Sequence, residues 1–258
     1  MNNIIAVSGI VLKELYRRKD IYVLFIVTAL ICLVMASVNV FDEAKVVRYL
    51  KELTLLLIWV CSLVVAITTT ARQIPMERES RTLFPLLAKP LTRTELLLGK
   101  FLGCWLACGA VLLCFYTFFG ILAGTREHQW PIINYLQAAG LHWIMLAVVI
   151  AFTLLGSLVF AAPSSNITIG FIAAAFILTV GRHLNKVALQ QPEPQQSVLY
   201  ALYYAIPHLE LFDVRDLIVH NWPPIAWKVC GLASLYALGY AAAFLILACV
   251  VFRRKAIN

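Results

Sequence analysis

Six apolar runs of at least 18 residues follow one another along the chain, separated by more polar stretches. They cover approximately residues 21–40, 53–71, 101–123, 138–161, 167–184 and 228–251. Each run is long enough to cross a bilayer as a helix, which takes about 20 residues. None shows the two-residue alternation of a barrel strand, and only helices or closed barrels satisfy their backbone groups in lipid. The pattern therefore predicts an all-α integral membrane protein, with one domain of six transmembrane helices over residues 1–258.

An amphipathic segment precedes the first run, at residues 1–20. Its sequence places four apolar residues on one helical row and most of its basic residues elsewhere; the row is Ile4, Val7, Val11 and Leu15. Such a pattern is typical of a helix that lies along a membrane surface. The alternative is a frayed tail followed by basic residues that only fix the topology.

A long segment, residues 185–227, separates the last two runs. It begins with a turn-forming "QQPEPQQ", continues with the aromatic "SVLYALYYAIP", and ends with a mixture of apolar and charged residues. Five charged or His residues between positions 208 and 216 argue against a seventh span here. We expect an interfacial or re-entrant segment at the extracytoplasmic headgroup level, where Tyr and Trp are enriched.

Composition and charge agree with a membrane location. Hydrophobic residues make up 62% of the chain and charged residues 13%, against about 25% in soluble domains. If the amino terminus is cytoplasmic, 13 of the 21 Lys and Arg residues face the cytoplasm. This bias predicts a multi-pass protein of the plasma membrane, or of the inner membrane in a Gram-negative cell, with both termini inside. The basic inner face would meet anionic lipids, and no basic run has the character of a nucleic-acid site.

Catalytic chemistry is not visible in the sequence. The seven cysteines lie in apolar runs, where Cys behaves as a small hydrophobe, and we expect no metal site. Gly99-Lys100 does not complete a phosphate loop, because Thr94 stands at the first glycine position and Phe101 follows the lysine. The runs contain His142 and Arg182, both expected near an interface, but no Asp or Glu of the kind that proton-coupled carriers use. We therefore expect a chain that is not an enzyme, binds no cofactor, and draws its energy from elsewhere.

One long charged stretch, residues 72–100, interrupts the apolar runs. It carries six Lys/Arg and three Glu residues around an apolar patch that includes Leu83, Leu86 and Leu87. Thr92 with Glu95 three residues later is a helix-start signature. A short helix with an apolar face and a charged face is typical of a docking element. The alternative is a solvated connection whose positive charges only fix the topology.

This stretch resembles the loop between the second and third spans of ABC-2 type permeases, the membrane subunits of ATP-driven exporters. The pattern is E-x-E, Thr-Leu, Leu-Leu, a basic residue with Pro, Thr-Arg, Glu-Leu and Leu-Gly-Lys. It is carried by Glu77, Glu79, Thr82, Leu83, Leu86, Leu87, Lys89, Pro90, Thr92, Arg93, Glu95, Leu96, Leu98, Gly99 and Lys100. The basic start "VLKELYRRKD" and "IPHLELFD" before the last span also have counterparts in that family.

The resemblance implies a mechanism and a set of partners. Two permease subunits, identical or different, would form a twelve-span dimer, and each loop would sit in a cleft of a separate ATP-binding cassette ATPase subunit that holds ATP and Mg. The implied coupling residues are docking contacts and the ridge of a coupling helix: Glu77, Glu79, Arg81, Leu83, Leu86 and Leu87. An amphipathic elbow helix would contact the same subunit through Lys13, Glu14, Arg17 and Arg18. Pro85 departs from the family pattern and is expected to shorten or kink the coupling helix.

The sequence leaves three candidate functions for the chain. The leading one is an exporter subunit that couples ATP hydrolysis by its partner to movement of a substrate, for which an apolar pathway favours an amphiphile over a free ion. The second is a scaffold that passes ATPase motion to an extracytoplasmic partner protein without moving a substrate. The third, a membrane-embedded enzyme, is disfavoured by the missing chemistry.

Overall fold

A computed structural model describes residues 2–37, 43–79 and 91–254, and in these ranges the chain is helical with no strand. The helices are α1 (Asn2–Tyr16), α2 (Lys19–Ser37), α3 (Glu43–Ala71), α4 (Gln73–Glu79), α5 (Arg93–Glu127), α6 (Ile132–Val159), α7 (Pro163–Ala188), α8 (Gln195–Ala205), α9 (Arg215–Val219) and α10 (Trp227–Arg254). A single 3-10 helix, Leu209–Phe212, lies between α8 and α9. The all-α prediction is confirmed for the described residues.

Within the described ranges, five helical stretches are long and apolar enough to cross a membrane. They are Val47–Glu79, which joins α3 to α4, then Arg93–Glu127, Ile132–Val159, Pro163–Gly181 and Trp227–Arg254. The first predicted run, 21–40, falls on α2, whose apolar stretch Ile21–Val34 is shorter than a bilayer crossing. Residues 38–40 of that run lie outside the described residues. The first of the six spans therefore stays a prediction.

Local sequence explains where two of these helices begin or break. At the start of α5, Thr92 Oγ1 accepts a hydrogen bond from Glu95 N at 3.2 Å, and Thr92 N donates to Glu95 Oε2 at 2.8 Å. This is the capping box that the sequence predicted. The break between α3 and α4 lies at Arg72 because Pro75 has no N–H to donate to the carbonyl four residues before it.

Helix α1 runs parallel to the first half of α5. Asn3 Nδ2 lies 3.5 Å from Glu95 Oε1, and farther along, Val7 and Val11 pack onto Gly99 and Gly103. A Cβ on either glycine would lie 2.6 Å from the Cβ of the facing valine, so the approach requires glycine. The row Val7, Val11 and Leu15 is buried. Protein therefore covers this part of the apolar face, and the placement of α1 along the membrane surface stays a prediction.

The core lies around the middle of α6, which packs against α3, α5, α7 and α10. Leu146, Ala147 and Ile150 are fully buried there. The segment after α8 also contributes to the core, because the 3-10 helix contacts α6 and α7 while α9 contacts α3 and α6. Half of the predicted interfacial segment is therefore packed into the bundle, whereas α8 has no buried residue.

Candidate functional site

Three segments that the sequence predicts to be cytoplasmic meet at one end of the bundle. Arg93 Nη1 donates to the Phe252 carbonyl oxygen at 2.8 Å, and its guanidinium lies 5.6 Å from the centre of the Phe252 ring. Arg253 Nη2 reaches Thr94 Oγ1 at 3.4 Å. The start of α1 is at the same end through Asn3 and Glu95. We call this region, residues 2–16, 72–79, 93–100 and 252–254, the connector end.

A buried lysine ties α4 to α5 at the connector end. The side chain of Lys100 is 4% exposed, and its Nζ forms an ion pair with Glu77 and donates to Gln73 Oε1 at 3.0 Å. Gln73 is buried as well, and its Nε2 donates to the Thr69 carbonyl oxygen at 3.5 Å. Because a buried charge requires partners, these contacts hold the short helix α4 against α5.

The predicted coupling and elbow residues occupy different environments. Glu77 faces Lys100 within the chain, whereas Glu79, at the end of α4, is exposed. Arg81, Leu83, Leu86 and Leu87 lie outside the described residues. In α1, Lys13 is exposed, as is Arg17 directly after the helix.

The remaining two elbow residues pair with each other. Arg18 Nη2 binds Glu14 Oε1 at 2.9 Å and lies 3.5 Å from Met76 Sδ, so the end of α1 contacts α4. The coupling and elbow roles of all these residues stay predictions.

A second buried ion pair lies at the opposite end of the bundle. The side chain of Lys51 is 1% exposed, and its Nζ lies 2.5 Å from Glu127 Oε2 and 2.9 Å from Asn221 Oδ1. Asn221 Nδ2 in turn donates to Glu127 Oε1 at 2.6 Å. Asn221 has φ of 52°, in the left-handed region that Asn tolerates better than most residues. This network joins α3, α5 and the segment before α10.

The two ion pairs pin α3–α4 to α5 at both ends. Lys51 and Glu77 are 26 residues apart on one side, and Lys100 and Glu127 are 27 apart on the other. At about 1.5 Å per helical residue, each separation is about 40 Å, close to the thickness of a bilayer with its headgroups. Neither lysine was expected to be buried, because the pairing depends on the register between two distant helices.

A buried polar cluster lies between α3, α5 and α6. His142 is 1% exposed; its Nε2 lies 2.7 Å from Ser62 Oγ and its Nδ1 lies 3.4 Å from Tyr116 Oη. The imidazole stacks on Trp59, with ring centroids 5.6 Å apart. Neighbouring helices therefore enclose His142, and its position near a membrane interface stays a prediction.

The same cluster receives an ion pair from the segment before α10. Arg215 lies over Trp59, 5.4 Å from the ring centroid, and donates to both Asp213 carboxylate oxygens at 2.7 and 2.8 Å. The hydrogen bonds that Arg215 donates to Asp213 raise the pKa of Arg215, so the guanidinium is charged. No group of three or more His, Cys, Asp or Glu within the described ranges could hold a metal ion. The contacts of Arg215 and Asp213 attach the segment between α8 and α10 to the bundle.

Comparison with known proteins adds one finding. A family model described as "ABC-2 family transporter protein" matches residues 10–257. The matched range includes Val11 and Leu15 of the buried row of α1, residues 72–79, 93–100 and 252–254 of the connector end, and the segment between α8 and α10. No curated protein matches the chain.

Proposed function

Because the chain belongs to the ABC-2 family of transporter proteins, we propose that it is the membrane subunit of an exporter driven by a separate ATP-binding cassette ATPase. The partner would bind ATP and Mg, and its closure on ATP would push on this chain. This chain would receive the movement and change the shape of a pathway through the membrane. A second permease subunit, identical or different, would complete the transporter.

The convergence of segments at the connector end is the observation that supports this proposal most. A push on the exposed Glu79 would reach α5 through the Glu77–Lys100 ion pair. It would also reach α1 through the contact between Met76 and Arg18. Because Glu77 and Lys100 are both largely buried, α4 would move together with α5 and not as a loose loop.

The proposed contacts with the ATPase divide into two groups. Glu79 and Arg81 would pair with charged groups at the rim of its cleft, while Leu83, Leu86 and Leu87 would fill the cleft. Lys13 and Arg17 would contact the same subunit from the side, since both are exposed and the adjacent Arg18 contacts Met76 of α4. Glu77 would act indirectly, by positioning α4 through Lys100.

Co-purification with an ATPase tests the proposal. A tagged chain is extracted from native membranes in a mild detergent, and vanadate-sensitive ATP hydrolysis is measured in the eluate. We expect Glu79→Arg and Leu86→Asp to remove most of this activity. Glu79→Arg reverses a charge at the rim of the cleft, and Leu86→Asp places a charge where the docking surface is apolar. The matched control is Glu52→Arg, the same charge reversal at an exposed site near the opposite end. Full retention of activity in both connector variants, with normal insertion, would contradict docking.

A second candidate function is supported by the network around Lys51. Since Lys51 and Glu127 both bind Asn221, a movement of α3 and α5 would reach the segment before α10 on the far side. The chain could then act on an extracytoplasmic protein without moving a substrate. Reconstituted vesicles separate the two functions: stimulation of ATP hydrolysis by an amphiphilic cargo favours export, and stimulation by an extracytoplasmic protein alone favours the scaffold.

A further inference from the structure

A cavity lies between the start of α2 and the end of α3. Its volume is about 290 Å³, and its lining includes Arg18, Arg72, Thr68, Thr69, Leu24 and Val64. Arg18 and Arg72 line the cavity together at one level. Farther along both helices, Thr28 Oγ1 on α2 lies 3.3 Å from Cys61 Sγ on α3, so the two helices are antiparallel here. The arginines therefore mark one end of the cavity, while the aliphatic residues extend along the helices from that end.

The polar end of the cavity has the chemistry of an anion site. Arg72 has no ion-pair partner among the described residues, and Arg18 has one, Glu14. The threonine hydroxyls donate to carbonyl oxygens of their own helix, each at 2.6 Å. The donors that remain for an anion are the guanidinium of Arg72 and the N–H groups of Arg18 that do not bind Glu14. Two guanidinium groups from separate elements present planar forks that match the oxygens of a phosphate.

The apolar end excludes a purely polar ligand. Leu24 and Val64 continue the lining on α2 and α3, which are apolar at these levels. A ligand that fills the whole cavity therefore has an anionic head and an apolar tail. Membrane lipids with a net negative charge combine these features, and juxtamembrane basic residues attract them.

We propose that this cavity binds an anionic phospholipid of the surrounding bilayer. Arg18 and Arg72 hold the phosphate, and the upper part of one acyl chain lies along Leu24 and Val64, with the remainder in the membrane. The proposal does not depend on the ATPase partner. It has a consequence for the connector end, however, because Arg72 begins the connector and Arg18 also contacts Met76 of α4. A bound lipid would thus help fix the position of α4.

Native mass spectrometry of the purified full chain tests the proposal. The chain is delipidated and exposed to equal amounts of phosphatidylglycerol and phosphatidylcholine in mixed micelles. We expect preferential retention of phosphatidylglycerol, and a loss of about fivefold in its affinity for each of Arg18→Gln and Arg72→Gln, since one basic residue near anionic lipid contributes about 1 kcal/mol. Equal retention of the two lipids by the unmodified chain would overturn the proposal without any variant.

Arg17→Gln is the matched control. It removes the same charge from the adjacent position, whose side chain does not line the cavity. A diffuse attraction would weaken equally in Arg17→Gln, Arg18→Gln and Arg72→Gln, and that result would overturn a specific site. A further measurement separates a lipid from a free anion: excess inorganic phosphate is expected to leave phosphatidylglycerol bound. Full displacement by phosphate would show an anion site without a tail contact and would contradict the proposal.

Discussion

Lys100 shows how a single residue can connect two distant parts of this chain. Its side chain is 4% exposed and that of Glu77 is 15% exposed, so both charges are largely removed from water. Desolvation of such a pair costs about as much as the attraction returns, and removal of one partner leaves the other charge uncompensated. The pair is therefore sensitive to single substitutions and tolerant of a double one.

We expect Lys100→Met to lower the free energy of unfolding by about 3 kcal/mol, because Glu77 loses its partner. Lys100→Met combined with Glu77→Leu is expected to recover most of this loss, since no unpaired charge then remains. Thermal unfolding in detergent, followed by circular dichroism, measures both variants in a double-mutant cycle with Glu77→Leu. Additive effects of the two substitutions would show that the residues do not interact.

At this scale the sequence predicts local contacts and misses distant ones. The capping box of Thr92 and Glu95 was predictable because its partners are three residues apart. The contact of Ser62 with His142 was not predictable, since it depends on the register of two helices whose residues are 80 positions apart. The ion pair between Glu77 and Lys100 was not predictable for the same reason, because nothing local indicates that the two residues face each other. The docking role of Glu77 stays a prediction.

Helix α1 shows the same limit at the scale of an element. Its row of apolar residues predicted an amphipathic helix, and the helix is present. The pattern does not state whether lipid or protein covers that row. The informative signal lies in α5, where Gly99 and Gly103 are four residues apart on one face, a spacing that allows two helices in a membrane to approach closely.

Gly103→Ala tests the packing of α1 on α5. The new methyl group would overlap Val11, and we expect a loss of about 1–3 kcal/mol in the free energy of unfolding, which is typical of overpacking. Gly239→Ala is the control, because nothing lies within 4 Å of a Cβ at that position of α10. There the better helix propensity of alanine should stabilise the chain by about 0.5–1 kcal/mol. Equal effects at the two positions, measured by thermal unfolding, would argue against close contact.

For the whole molecule, the sequence predicts which stretches are helical and leaves the assembly open. Helix length and hydrophobicity are local properties, so the runs at 101–123 and 228–251 fall within α5 and α10, and the run at 138–161 extends only two residues beyond α6. The folding of the segment after α8 into the core was not visible, because its charges pair internally. Arg215 pairs with Asp213 two residues away, and this ion pair allows charged residues of the segment to lie against the bundle.

The orientation of the molecule in the membrane follows from where its charges lie. The contacts of Arg93 with Phe252, and of Asn3 with Glu95, bring both ends of the described chain to one end of the bundle, with the connector. The bias of Lys and Arg predicts that this end is cytoplasmic. Glu193, in the segment between α7 and α8, would then lie outside.

Cysteine accessibility in intact cells tests this orientation. Cys114, which is exposed, is first replaced by alanine to lower the background, and single cysteines are then introduced as Glu193→Cys or Arg254→Cys, both at exposed positions. A membrane-impermeant maleimide is expected to label Glu193→Cys in intact cells and Arg254→Cys only after permeabilisation. The reverse pattern would place the connector end outside, where no ATP is available to a partner, and would exclude ATPase coupling at that end.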